Sequence, residues 1–300
     1  MIDNWINIKI EDVNEKVENN LKDFIVSCEN NYKDQIQKVV EHITENKNLK
    51  FILLAGPSSS GKTTTANLIV KHFEKYNIVA HVVSLDDFFV ERDETPVWPD
   101  GKPNYESYEA IDWVLFDKCV KELMQNNSSL MPTFNFIDGK KYMDKTISLN
   151  ENEIIIFEGL HALNPCIDNY IPLKNSAKVY IAPHINYIFN KKTVLNGKQM
   201  RFFRRMIRGV NSRGTSPVKS LDLWQQVLYG EELYIDPFKS TADFYINSAH
   251  PYEICVYRNI IKNYHLEREP LFKQILEPLN LFELLDKSVI PADSVLQEFI

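Results

Sequence analysis

The stretch from residue 51 to residue 63 reads FILLAGPSSSGKT, an apolar run followed by a glycine-bounded loop that ends in Lys and Thr. From Gly56 to Thr63 the spacing is G-x-x-x-x-G-K-T, which is typical of a phosphate-binding loop. Backbone N–H groups of such a loop cradle phosphates, its lysine neutralises their charge, and its last hydroxyl holds Mg²⁺. A helix is expected to follow, with its positive end facing the same anion. The predicted phosphate contacts are Gly56, Ser58, Ser59, Ser60, Gly61, Lys62, Thr63 and Thr64.

The composition is that of a globular protein with one main domain. The chain has 300 residues, of which 44% are hydrophobic, and its net charge of −7 argues against general affinity for nucleic acid. No apolar run approaches the ~18 residues that a membrane span needs, and the first residues lack a signal-peptide pattern. The 4 cysteines lie far apart and suggest neither a disulfide framework nor a metal site. We therefore expect a cytoplasmic protein without nucleic-acid or membrane partners.

Apolar runs alternate with amphipathic segments along the chain, and this alternation predicts an α/β fold with a mostly parallel sheet covered on both faces. Together with the loop it indicates the three-layer sandwich of P-loop NTPases. Strands are predicted near residues 50–55, 79–85, 153–157, 178–182 and 243–247, and helices near 61–75, 111–125, 197–210 and 219–232.

Acidic residues follow two of the predicted strands, at the sheet edge where ligands of parallel sheets bind. The strand near residue 80 ends in Asp86 and Asp87, and either carboxylate could accept the proton of an attacking hydroxyl. The strand near residue 155 ends in Glu158, which would share Mg²⁺ or its waters with Thr63. The alternatives are a turn aspartate in the first case and a structural hydrogen-bond acceptor in the second.

Basic charge is concentrated between residues 169 and 221, a stretch that contains no Asp or Glu. Four arginines lie there at i, i+3, i+4 and i+7, which places them on one face of a helix. Because guanidinium groups bind phosphates in a bidentate manner, we predict a lid that closes over phosphates, with a hinge-like break at Arg213. A solvated basic helix and an RNA-binding patch are the alternatives. The four arginines are Arg201, Arg204, Arg205 and Arg208.

Residues 50 to 260 resemble the uridine kinase and phosphoribulokinase family of P-loop kinases. The loop and the segment from Ser84 to Phe89 carry the resemblance, which implies that Asp86 is the catalytic base and that Phe89 contacts a nucleoside. Glu106 stands where the family has an acid that binds ribose hydroxyls. Aromatic walls of the acceptor site are implied at Phe89, Tyr105, Phe134 and Phe136.

Two positions depart from the family pattern. Gly139 falls about where uridine kinases have a histidine that contacts the pyrimidine, and Thr215 replaces a lid arginine. The stretches from residue 230 to 248 and from 290 to 300 look closer to a bacterial uridine kinase-like subgroup that often carries an N-terminal TGS domain. Residues 1–48 are too short for such a domain.

Helical spacing of the apolar residues predicts an N-terminal helical extension over residues 1–48, and the resemblance implies a kinase domain over 49–262 with a lid at about 197–217. A helical tail over 263–300 is expected to pack on the kinase domain. Relatives in this family are often oligomers, so a homo-oligomer is an open option for this chain.

The function implied is ATP-dependent and Mg²⁺-dependent phosphoryl transfer to the 5′-hydroxyl of a nucleoside of the uridine or cytidine type. Asp86, Lys62, Arg205 and Arg208 would be catalytic, and Arg204 and Arg213 would contact ATP. One alternative is a kinase of another small alcohol, similar to the relatives that act on ribulose 5-phosphate or pantothenate. The other is a regulatory protein that binds ATP without catalysis.

Overall fold

A five-stranded parallel sheet forms the centre of the protein. The structure is a computed structural model that describes residues 5–266 and 269–300. Its strands are β1 (Ile6–Lys9), β2 (Phe51–Ala55), β3 (Val79–Ser84), β4 (Ser128–Asn135), β5 (Lys140–Ser148), β6 (Glu153–Gly159), β7 (Ser176–Ala182), β8 (Ile185–Phe189), β9 (Lys192–Asn196) and β10 (Phe244–Asn247). Its α-helices are α1 (Ile10–Asn19), α2 (Leu21–Glu45), α3 (Lys62–Glu74), α4 (Trp113–Asn126), α5 (Gly197–Ser212), α6 (Pro217–Tyr234), α7 (Glu253–Lys262) and α8 (Pro270–Leu276).

The order of the central sheet is β10-β7-β2-β6-β3, and every neighbouring pair runs parallel. All five residues of β2 are buried, as expected for a continuous apolar strand covered on both faces. In the register, Leu54 of β2 lies beside Glu158 of β6, which lies beside Ser84 of β3. The carboxyl ends of these three strands therefore bring the phosphate loop, Glu158 and Asp86 to one edge.

The α/β fold predicted from the sequence is confirmed, and the five predicted strands are those of the central sheet. Two smaller sheets were not predicted. One is the antiparallel hairpin of β4 and β5, and the other joins β1 in parallel to β8, which pairs with β9 in antiparallel fashion. The partner of β1 lies far along the chain, at β8, so local sequence patterns carry little signal for this strand, whereas β4 and β5 pair with each other across a short turn.

Residues 5–48 contain β1, α1 and α2, so the helical prediction for this segment omits β1. The two helices share a hydrophobic core with the central sheet, in which Ile36 and Val40 of α2 are buried together with Ile52 of β2. The hydroxyl groups of Tyr32 in α2 and Thr65 in α3 are 2.5 Å apart and hydrogen-bonded. This segment therefore packs on the same core as the central sheet.

The predicted helical tail differs from the structure. Among the described residues, this part of the chain contains the short helix α8 and the 3₁₀ turns Glu277–Leu281, Lys287–Val289 and Val295–Glu298, joined by turns and irregular chain. Residues 290–300, here called the closing segment, are held by side chains buried in the main core, namely Ile290, Val295 and Leu296. No helix within the described residues is long and apolar enough to cross a membrane.

We expect substitution of Ile36 by Ala to lower the free energy of unfolding by about 2–5 kcal/mol, because a fully buried side chain at the contact between α2 and the sheet is lost. Val26 of the same helix is 48% exposed, so Val26→Ala should change it by less than about 0.5 kcal/mol. Urea denaturation followed by circular dichroism measures both. Equal, small effects would contradict a shared core.

Candidate active site

The phosphate loop connects β2 to α3, and its backbone requires glycine at two positions. A Cβ atom on Gly56 would lie 2.2 Å from the carbonyl oxygen of Ile181, and Gly61 has a φ of +93° where α3 begins. Lys62 donates hydrogen bonds from Nζ to the carbonyls of Gly56 (3.0 Å) and Pro57 (3.4 Å). The lysine thus lies across the loop whose N–H groups can bind phosphate.

Thr63 and Glu158 form an oxygen-rich pair beside this loop. The Thr63 hydroxyl donates to Oε1 of Glu158 at 3.1 Å. Burial raises the pKa of the Glu158 carboxyl, and nearby Lys62 lowers it. A desolvated carboxylate next to a hydroxyl is an environment that a hard cation would stabilise, so these residues fit Mg²⁺.

The structure places Asp86 and Asp87 differently. Asp86 lines the cavity next to the phosphate loop, and loss of hydration there raises its pKa against the opposing charge of Lys62. Asp87 points to the hairpin, where its Oδ1 accepts a hydrogen bond from the backbone N–H of Phe134 at 3.2 Å. The geometry therefore favours Asp86 as the residue that meets a substrate.

An aromatic cluster forms the far side of the cavity. The centroid of the Phe89 ring lies 6.1 Å from the ring centroid of Tyr105, 5.7 Å from that of Phe134 and 6.3 Å from that of Phe136. Phe134 is only 7% exposed and supports the cluster from behind, whereas Tyr105 (44%) and Phe136 (61%) are open to a ligand. The hairpin of β4 and β5 thus supplies an apolar wall opposite the phosphate loop.

Glu106 is half-buried between the aromatic wall and the arginines. Burial raises its pKa to about 7, although Arg205 counteracts the shift. A Cβ atom on Gly230 of α6 would lie 2.6 Å from the Cβ of Glu106, so the close approach of α6 depends on this glycine. The carboxyl faces the same cavity as Asp86.

Helix α5 begins with a capping box formed by Asn196 and Gln199, and its arginine face is directed at the phosphate loop. Arg205 donates to the Ser58 hydroxyl at 2.7 Å, and Arg208 donates to the Ser59 hydroxyl at 3.2 Å. Burial lowers the pKa of Arg208 to about 10, and the nearby charge of Arg213 adds to this effect.

The other two arginines of α5 are buried in ion pairs. Arg201 pairs with Glu231 of α6, and Arg204 makes a bidentate pair with Glu253 of α7 at 2.8 and 2.9 Å. Arg204 is completely buried and does not line the cavity. That Arg204 contacts ATP stays a prediction. In the structure this residue joins α5 to α7 and the loop after β10, and its Nη1 also donates to the carbonyl oxygen of Ser59 in the phosphate loop at 3.5 Å.

The cavity has a volume of about 320 Å³ and brings together most of the residues predicted from the sequence. Four predicted residues are not in its lining, namely Gly56, Thr64, Arg204 and Phe134. Two lining residues were missed, Leu160 and Glu298. Leu160 follows directly on the Glu158 motif, whereas Glu298 lies far along the chain and no local pattern marks it. The predicted residues in the lining are Ser58, Ser59, Ser60, Gly61, Lys62, Thr63, Asp86, Phe89, Tyr105, Glu106, Phe136, Glu158, Arg205, Arg208 and Arg213.

The sequence model of the Phosphoribulokinase / Uridine kinase family matches residues 51–254. The chain belongs to this family. It is therefore a P-loop kinase, and the predicted membership is confirmed. The matched range runs from β2 to the start of α7. It leaves β1, α1, α2 and the closing segment outside.

Individual relatives of the family are distant. A uridine kinase of Macrococcus caseolyticus is 26% identical over 194 residues, 64% of this chain and 85% of that protein. A uridine-cytidine kinase C of Dictyostelium discoideum is 24% identical over 66% of this chain, but the match spans only 39% of that longer protein. A solved D-glycerate 3-kinase from Cryptococcus neoformans superposes with a TM-score of 0.49 at 14% identity, over 68% of this chain and 89% of that one.

We expect Arg204→Ala to lower the free energy of unfolding by about 3–5 kcal/mol, because it leaves the Glu253 carboxylate buried without a partner. Lys239→Ala, which breaks an exposed pair with Asp236, should cost less than about 1 kcal/mol. Thermal or urea unfolding measures both. If Arg204→Ala kept full stability and lost only affinity for ATP, the structural role would be wrong.

Proposed function

We propose that this kinase transfers the γ-phosphoryl group of ATP to the 5′-hydroxyl of a nucleoside of the uridine or cytidine type. The products are the nucleoside monophosphate and ADP. One observation carries the proposal: two carboxylates, Asp86 and Glu106, and an open aromatic wall share a single cavity with the phosphate loop. The carboxylates suit the hydroxyl groups of a sugar, and the aromatic rings suit the face of a base.

The donor phosphates bind to the backbone N–H groups of the phosphate loop, and Lys62 neutralises their charge. Arg205 and Arg208 reach the loop serines and offset the charge that spreads over the transferred group. Thr63 and Glu158 would hold Mg²⁺. When bound, this ion would supply positive charge that neutralises part of the charge of the phosphates.

Asp86 orients the 5′-hydroxyl and takes its proton while the hydroxyl oxygen bonds to the γ-phosphorus. The bond between that phosphorus and the β–γ bridging oxygen breaks, and ADP leaves with the electron pair. The raised pKa of Asp86 strengthens the carboxylate as a base at neutral pH.

Glu106 accepts hydrogen bonds from the ribose hydroxyls, and Tyr105 and Phe136 pack on the base. The acceptor side, formed by these three residues with Asp86 and Phe89, presents two carboxylates and aromatic rings, and Arg205 is the cation nearby that acts on Glu106. An uncharged acceptor suits it better than a sugar phosphate does.

A kinase of another uncharged small alcohol is the second candidate, and the hairpin turn favours it. Gly139 lies in that turn with a φ of +73°, and a Cβ atom there would lie 2.7 Å from the Cβ of Arg92. This position therefore offers no side chain to read the edge of a pyrimidine. A panel of nucleosides and small alcohols distinguishes the two candidates.

The proposal predicts that Asp86→Asn lowers kcat roughly 10²–10⁴-fold, because the variant lacks the proton acceptor. Asp87→Asn is the matched control: its amide oxygen still accepts the bond from Phe134, so kcat should fall less than about tenfold. ADP release is measured with Mg²⁺, ATP and the acceptor panel. A wild-type protein that binds ATP and phosphorylates no acceptor would refute the proposed function.

The KM for the acceptor should fall roughly tenfold from about pH 6 to about pH 8, since Glu106 loses its proton near pH 7 and only the carboxylate accepts two hydrogen bonds. Steady-state kinetics at saturating ATP measure this dependence. Glu106→Gln removes the titrating group, so its KM should be high and nearly constant with pH. An equally steep profile in this variant would assign the effect to another residue.

A further inference from the structure

The closing segment packs directly on the phosphate site, although it lies outside the range that the family model matches. A Cβ atom on Gly61 would lie 2.6 Å from Cγ2 of Val295, so Val295 covers the end of the phosphate loop. The ring of Phe299 is 1% exposed and lies 4.9 Å from Cζ of Arg204 and 5.8 Å from Cζ of Arg208. Two side chains of the closing segment thus contact the phosphate site: Val295 contacts the phosphate loop, and Phe299 contacts the arginines of α5.

Glu298 lies between Val295 and Phe299 in the sequence, and its side chain lines the cavity. Its Oε1 accepts a hydrogen bond from Nη1 of Arg208 at 2.9 Å, and its Oε2 accepts one from the hydroxyl of Thr64 at 2.8 Å. Thr64 belongs to the first turn of α3, where the helix dipole attracts anions. The carboxylate therefore binds a guanidinium group that also faces the phosphate loop, and a hydroxyl in the first turn of the helix that follows this loop.

We propose that Glu298 is a residue of the donor-phosphate site. Its carboxylate takes the place of a phosphate on Arg208, and binding of the donor displaces it. The inference rests on one part of the proposed function, namely that a phosphate donor binds at the phosphate loop. Donor affinity is then set by competition between the polyphosphate and an anion of the protein itself.

Displacement requires only the Glu298 side chain to rotate, because the backbone around it is anchored. Val295 and Leu296 are fully buried, and Nε2 of Gln297 donates to the carbonyls of Ile290 and Pro291. The side chain of Glu298 itself remains 16% exposed, at the edge of the cavity. The closing segment can therefore stay in place while Arg208 exchanges one anion for another.

Isothermal titration of ATP with Mg²⁺, in the absence of any acceptor, tests this inference. Glu298→Gln keeps the shape of the side chain and removes the competing charge, so the Kd for ATP should fall roughly tenfold. Inorganic triphosphate with Mg²⁺ should show a similar gain, because the competition concerns phosphate groups. Asp293→Asn is the matched control, since Asp293 lies in the same segment but pairs with Lys33 at the surface; its Kd should equal that of the wild type.

An unchanged or higher Kd in Glu298→Gln, with an unchanged melting temperature, overturns the inference. So does a gain for ATP that inorganic triphosphate does not share, or an equal gain in Asp293→Asn. Since no acceptor is used, the outcome is independent of which alcohol is phosphorylated. A wild-type protein that binds neither ATP nor triphosphate would overturn both this inference and the proposed function.

Discussion

The buried ion pair between Arg204 and Glu253 is the interaction on which the arrangement of the site depends. Both side chains are fully buried, and the guanidinium group also donates to the hydroxyl and carbonyl oxygens of Ser248. It therefore joins α5, α7 and the loop after β10 at one point. Because α5 is held there, Arg205 and Arg208 on the same helix face are directed at the phosphate loop. The ring of Phe299 packs on the same guanidinium and brings the closing segment to the site.

The charges that line the cavity are balanced. Among the described residues, its lining contains the cations Lys62, Arg205, Arg208 and Arg213 and the acids Asp86, Glu106, Glu158 and Glu298. Cations alone would repel one another, and the lowered pKa of Arg208 reflects both its burial and the charge of Arg213. The acids offset this repulsion, and in the proposed function each would have its own role: Asp86 toward the acceptor hydroxyl, Glu106 toward the sugar, Glu158 toward Mg²⁺ and Glu298 toward the donor phosphates.

Local patterns predicted the parts of the molecule whose causes are local. The apolar run of β2, the glycine spacing of the loop and the helix after it depend on neighbouring residues, and they agree with the structure. Helical periodicity also placed four arginines on one face correctly. It could not show that Arg201 and Arg204 are buried, because Glu231 and Glu253, which neutralise them, lie 30 and 49 residues away. The separation of Asp86 from Asp87 likewise required the hairpin, whose backbone binds the second carboxylate.

The sequence by itself determined the fold class, the family and the position of the phosphate loop, because each is written in short stretches with a strong physical signature. Tertiary structure decided which charged residues line the cavity and which form buried ion pairs away from it. It also decided that a glutamate near residue 300 lies against a helix that begins at residue 62. Such contacts arise from the packing of segments that are distant in sequence, and pairing between distant charges leaves no periodic trace along the chain.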